Sequence, residues 1–161
     1  MFDDLLAANA TYAAGFSDGD LPRQPARRLT VVTCMDARID VYAALGLSPG
    51  DAHVLRNAGG RVTSDVLRSL FVSTHLLGVR SIVVMHHTAC GMADLDPDEV
   101  RARTRSVPRE EWAKLDLLPI DDPALALADD VALVRGSALL GDVEVAGFMY
   151  DVATGAIDRK A

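Results

Sequence analysis

The sequence predicts an α/β fold: a mainly parallel central sheet flanked by helices, with an N-terminal helical arm in front and an antiparallel strand at one edge. Three observations lead there. Strand-like and helix-like segments alternate along the chain. The strand-like runs are β-branched and almost continuously apolar, as parallel strands covered on both faces must be. The chain has 161 residues, half of them apolar, so residues 1–161 are read as a single domain that buries its own core without disulfide staples.

The elements follow in order. Phe2, Leu5, Leu6, Tyr12, Ala13 and Phe16 fall on one face of a helix closed by Gly15 and Gly19, an amphipathic arm. Leu21-Pro22-Arg23-Gln24-Pro25 is an extended linker, because proline fixes φ and disfavours helix before it, so residues 1–25 form arm and linker. Leu29 to Cys34 is the first strand. Asp40 to Leu47 is a short helix ended by Ser48-Pro49-Gly50, and Ala52 to Arg56 is a second strand followed by a loop at Asn57-Ala58-Gly59-Gly60. Thr63 caps a helix whose positions Val66, Leu67, Leu70, Phe71, Leu76 and Leu77 are expected to form a wide buried stripe up to Gly78. Ser81 to His86 is a third strand. Asp96-Pro97 and Asp122-Pro123 each place an acidic cap before a first-turn proline, with a broken polar stretch from Pro108 to Pro119 between them. Asp142 to Asp151, a turn at Ala153-Thr154-Gly155, and Ile157 read as a strand and a short return strand.

Composition narrows the function classes. With 16 basic against 23 acidic residues the formal charge is −7, and no dense Lys/Arg cluster is present, so neither a nucleic-acid nor an anionic-membrane partner is expected. The start carries acids where a secretory signal carries bases, and no apolar stretch reaches the ~20 residues a membrane span needs. A soluble, cytoplasmic protein is expected. Its two cysteines, Cys34 and Cys90, are too few for a secreted disulfide framework and need another explanation.

Ligands of an open α/β sheet bind outside the carboxyl ends of the strands, and both cysteines fall there. Cys34 ends the first strand and Met35-Asp36-Ala37-Arg38 follows it; the third strand runs into His86-His87-Thr88-Ala89-Cys90-Gly91. Thiolate and imidazole are preferred zinc ligands, and three protein ligands leave a fourth position for a reacting group. His87 and Cys90 can chelate one ion from a single turn, with Cys34 closing the site from the neighbouring strand. Strand alternation points His86 away from His87's face. Asp36 can be a fourth ligand that closes the metal site, or it can pair with Arg38 and leave the site open. Gly91 and the Asn57-Ala58-Gly59-Gly60 loop allow close backbone approach, where N–H groups bind an oxyanion. His53 and His75 carry no partner motif and read as structural.

Cys34-Met35-Asp36-Ala37-Arg38, Arg56-Asn57-Ala58-Gly59 and His87-Thr88-Ala89-Cys90-Gly91, in this order, resemble the β-class carbonic anhydrases in their short bacterial form. The resemblance covers the chain after its arm. It implies that Cys34, His87 and Cys90 bind Zn2+, that Asp36 and Arg38 form the catalytic dyad, and that the activity is reversible hydration of carbon dioxide to bicarbonate by zinc-bound hydroxide. It further implies a homodimer through the N-terminal arm, or a higher homo-oligomer, with the sites near the interface. The chain departs from the pattern at Ala89, where close relatives carry an acid. Two other readings use the same ligands: hydrolysis of CS2 or COS, and a catalytically silent zinc-binding module. If Asp36 does close the site, that state is expected near neutral pH or below, opening in alkali.

Overall fold

The structure, a computed structural model, describes residues 2–93 and 95–161. Along the chain come α1 (Phe2–Ala14), β1 (Leu29–Cys34), α2 (Val41–Leu45), β2 (Ala52–Asn57), a 3-10 turn (Ala58–Gly60), α3 (Ser64–His75), β3 (Ser81–His87), α4 (Pro97–Arg103), α5 (Arg109–Trp112), α6 (Pro123–Gly136), β4 (Glu144–Tyr150) and β5 (Ile157–Arg159). The sheet order is β2-β1-β3-β4-β5. β1 to β4 run parallel, and β5 closes one edge antiparallel to β4.

This order places β1 and β3 side by side at the centre, where the sequence is most continuously apolar. Successive residues of a strand face opposite sides, so Val31, Val83 and Met85 pack in one core while Val32, Ile82 and Val84 pack in the other. The second core is roofed by Val66 and Leu70 of α3 and by Leu127, Val131 and Val134 of α6. Each such buried side chain is worth about 1.5–3 kcal/mol relative to exposure. The first core is covered by Ile39, Val41 and Leu47 around α2, and by Ile120.

Local signals explain the helix ends. Asp40, Thr63, Asp96 and Asp122 each accept a hydrogen bond from a backbone N–H of the first turn, as N-caps do, and Pro97 and Pro123 start α4 and α6. Four details differ from the sequence expectation. α2 stops at Leu45, because Gly46 takes a left-handed conformation and its N–H bonds back to Tyr42 and Ala43, ahead of the Ser48-Pro49-Gly50 signal. Ala58–Gly60 is a 3-10 turn, with Asn57 still paired in β2. The stripe on α3 is narrower than expected: Val66 and Leu70 are buried in the core against the sheet and α6, but Phe71 and the C-cap residue Leu76 are exposed. The polar stretch before Pro119 contains the four-residue α5.

α1 is a helix as expected but ends at Ala14, leaving Phe16 beyond it, and it buries none of its residues. Phe2, Leu5, Leu6, Tyr12 and Phe16 are all exposed, Phe2 at 73%. None of the helices among the described residues is long and apolar enough to cross a membrane.

Candidate metal centre

The sheet's carboxyl end assembles the site. Thr33 of β1 pairs with Met85 of β3, so Cys34 stands level with the end of β3, and His87 and Cys90 come to it from the next residues of that chain. One sulfur of Cys34, one of Cys90 and a ring nitrogen of His87 lie within 4.8 Å of one another, and all three residues are buried. The two sulfurs are 4.0 Å apart. Two thiolates on a tetrahedral zinc, at ~2.3 Å from it, stand roughly 3.8 Å apart, so the spacing fits that ion.

His87 provides an independent test of whether these residues suit a metal. Its Nδ1 lies 2.9 Å from the Thr88 carbonyl, which can only accept, so Nδ1 carries the proton and Nε2 presents a lone pair. That Nε2 is buried and has no hydrogen-bond partner. A buried imidazole lone pair beside two cysteine sulfurs is a donor set that fits zinc. Burial lowers the pKa of His87, which keeps the ring neutral, and burial raises that of the Cys90 thiol.

Asp36 and Arg38 form a two-pronged pair. Arg38 Nε donates to Oδ1 at 2.9 Å and a terminal nitrogen donates to Oδ2 at 2.6 Å, while the Arg38 backbone N–H adds a third bond to Oδ1. The side-chain bond from Arg38, then the one from its backbone, holds the Asp36 carboxyl far below the usual carboxylate range, and the same pairing raises Arg38. Asp36 Oδ2 stands 3.9 Å from His87 Nε2, at the edge of the ligand cluster. Both carboxylate oxygens are engaged by Arg38. Arg38 also donates to the Ala89 carbonyl at 2.9 Å, linking the loop after Cys34 to the loop before Cys90. Arg56 braces the first loop from β2 by donating to the carbonyls of Cys34 and Asp36.

A cleft of about 490 Å³ opens on the cysteines, lined by Met35, Asp36, Ala37, Ala58, Gly59, Gly91 and Met92. A larger cleft, of about 630 Å³, lies away from this chemistry between α3 and α6. Of the expected oxyanion residues, Ala58, Gly59 and Gly91 line the first cleft. Asn57 does not: its amide donates to the Arg61 carbonyl inside the turn. Gly60 is the glycine packed tightly against the backbone of the site. A Cβ on Gly60 would stand 2.8 Å from the Cys34 nitrogen, whereas one on Gly91 would meet nothing within 4 Å.

The remaining histidines are structural, as the sequence suggests: His53 bonds Ser73, and His75 the Leu139 carbonyl. His86 turns to the α6 side and meets Asp130, 3.1 Å away. Asp130 and its partner Arg61 were missed in the sequence. The available signal was an acid at a core position of α6, one residue before buried Val131.

Comparison with known proteins assigns the chain to a family. The family model "Carbonic anhydrase" matches residues 29–109, the span that carries all three ligand candidates. The chain is 42% identical to "Beta-carbonic anhydrase 1" of Mycobacterium tuberculosis, over 98% of this chain and 96% of that protein. A solved carbonic anhydrase from Streptococcus mutans superposes with a TM-score of 0.91 at 41% identity, covering 99% of this chain and 97% of that one. A "Carbon disulfide hydrolase" from Acidianus is 34% identical over 80% of this chain and 74% of that protein. The chain belongs to the β-carbonic anhydrases, a family of zinc lyases.

Proposed function

We propose that the chain catalyses the reversible hydration of carbon dioxide to bicarbonate, with Zn2+ held by Cys34, His87 and Cys90. The observation that carries the assignment of ligands is the buried, unpartnered Nε2 of His87 facing two thiols. When bound, zinc supplies a Lewis acid that makes water a nucleophile near neutral pH.

The chain's own residues do the rest. Asp36 stays ionised at neutral pH, so it is an acceptor and not a proton store. Locked by Arg38, it orients an O–H group bound beside the ligand cluster. Arg38 fixes that orientation and, through the Ala89 carbonyl, the spacing of the two loops. Met35, Ala58, Gly59 and Met92 give the cleft apolar walls, which suit a small uncharged substrate.

A second copy completes the molecule in this reading. The apolar side chains of α1 have no cover in their own chain, and Met35, next to Cys34, is 67% exposed. A homodimer through the arm covers both, close to the metal centre. With both cysteines assigned to the metal and no disulfide framework in the sequence, a reducing compartment such as the cytoplasm suits the chain.

Stopped-flow CO2 hydration by zinc-loaded protein tests the activity. We expect zinc-dependent turnover, reduced at least about 100-fold in Asp36→Ala and lost with the metal in Cys90→Ser. Zinc-loaded protein that releases sulfide from CS2 but leaves CO2 untouched would instead support the hydrolase reading, and one that does neither the silent module.

A further inference from the structure

Asp130 sits in the middle of α6 with its side chain 1% exposed, and the chemistry above makes no use of it. A carboxylate withdrawn from water is tolerated only when its partners replace the lost hydration. Here they do. Oδ2 accepts from Arg61 Nε at 2.7 Å and from His86 Nε2 at 3.1 Å, and Oδ1 accepts from the Val62 N–H at 3.1 Å.

The two sides of the metal centre meet at these partners. His86 directly precedes His87 in β3, and alternation sends its ring to the α6 side while His87 faces the thiols. The other nitrogen of His86 is buried without a hydrogen-bond partner, so among the described residues Asp130 makes the one side-chain hydrogen bond to the ring. Arg61 and Val62 follow the turn whose Gly60 lies against the backbone of Thr33 and Cys34. The stem of Arg61 also backs Gly59, a wall of the cleft: a Cβ there would meet Arg61 Cγ at 3.2 Å. One carboxylate therefore ties the turn that covers Cys34 to the strand end that carries His87.

We infer that Asp130 is a positioning residue for the metal centre, setting the spacing of the Cys34 and His87 sides from the opposite face of the sheet without touching metal or substrate. This rests on the zinc site proposed above. It predicts that Asp130 acts on metal geometry and affinity, not only on folding.

Cobalt titration of the full chain, with zinc affinity from competition against a coloured chelator, tests it. Wild-type protein is expected to show the thiolate-to-cobalt absorption of a four-coordinate, sulfur-containing site. If wild type lacks it, the metal site itself is wrong and Asp130 has nothing to position. Asp130→Asn keeps the size and removes the charge; we expect zinc affinity about 10- to 100-fold weaker and shifted cobalt bands. Val131→Ala, at the next and equally buried position of α6, is the control. It is expected to melt earlier while keeping the wild-type affinity and spectrum. A folded Asp130→Asn protein with wild-type affinity and spectrum, or one altered no differently from Val131→Ala, overturns the inference. If Asp130→Asn does not fold, Arg61→Gln, at a less buried position, decides in the same way. A weakened site with shifted bands upholds the inference, and an unchanged one overturns it.

Discussion

Gly60 shows how one missing atom shapes the site. It holds φ at +68°, where an L side chain is strained, and its backbone lies against Cys34 more closely than any Cβ allows. We expect Gly60→Ala to lower stability by more than about 1 kcal/mol and to weaken zinc binding as Cys34 is pushed aside, whereas Gly91→Ala, in open space, leaves the denaturation midpoint nearly unchanged. Chemical denaturation of the two variants checks this, and equal midpoints would contradict it. The Asp36–Arg38 pair illustrates a second point. A surface ion pair is worth little to stability. Its value here is directional, because Arg38 leaves the carboxylate acceptor-only and aimed beside the ligands.

α6 is the element on which two jobs converge: Leu127, Val131 and Val134 roof one core, and Asp130 reaches through that roof to the strand ends. Burial raises the Asp130 carboxyl, but donors from His86, Arg61 and Val62 outweigh it and leave the group below its ordinary value. The folded protein therefore prefers the ionised form more than the unfolded chain does. This contribution is complete above the unfolded carboxyl's pKa of about 3.9 and fades as pH falls through the lower folded value. Asp130→Asn should remove it, so that stability falls less steeply with acid than in wild type; parallel slopes in melting experiments from pH 6 to 3 would contradict this. α6 also marks the limit of what could be read from sequence. Its cap at Asp122-Pro123, the other caps, the strand runs and the ligand triad were all legible, because each signal is local or lies at a strand end. Asp130's partners were not, because Arg61 lies 69 residues away and only sheet order brings them together. The width of the buried stripe on α3 is illegible for the same reason: periodicity gives an apolar face but not how much of it neighbouring elements cover.

The whole molecule carries its apolar arm outward, away from its own cores. A stable monomer has no use for five exposed large side chains on and beside one helix, so we expect light scattering to give twice the chain mass of 17.2 kDa or a multiple of it. Charged substitutions at Leu5 and Leu6 should shift the mass toward monomer, and a wild-type mass of one chain would refute the arm as an interface. The fold and the apolar cleft converge on a single feature, the three side chains gathered at the ends of β1 and β3. Zinc-edge X-ray absorption on the purified protein addresses that feature directly. We expect about one zinc per chain bound by two sulfurs and one imidazole nitrogen, with one sulfur lost in Cys34→Ser. A metal shell of nitrogen and oxygen alone, or a wild-type spectrum unchanged by that substitution, would contradict it.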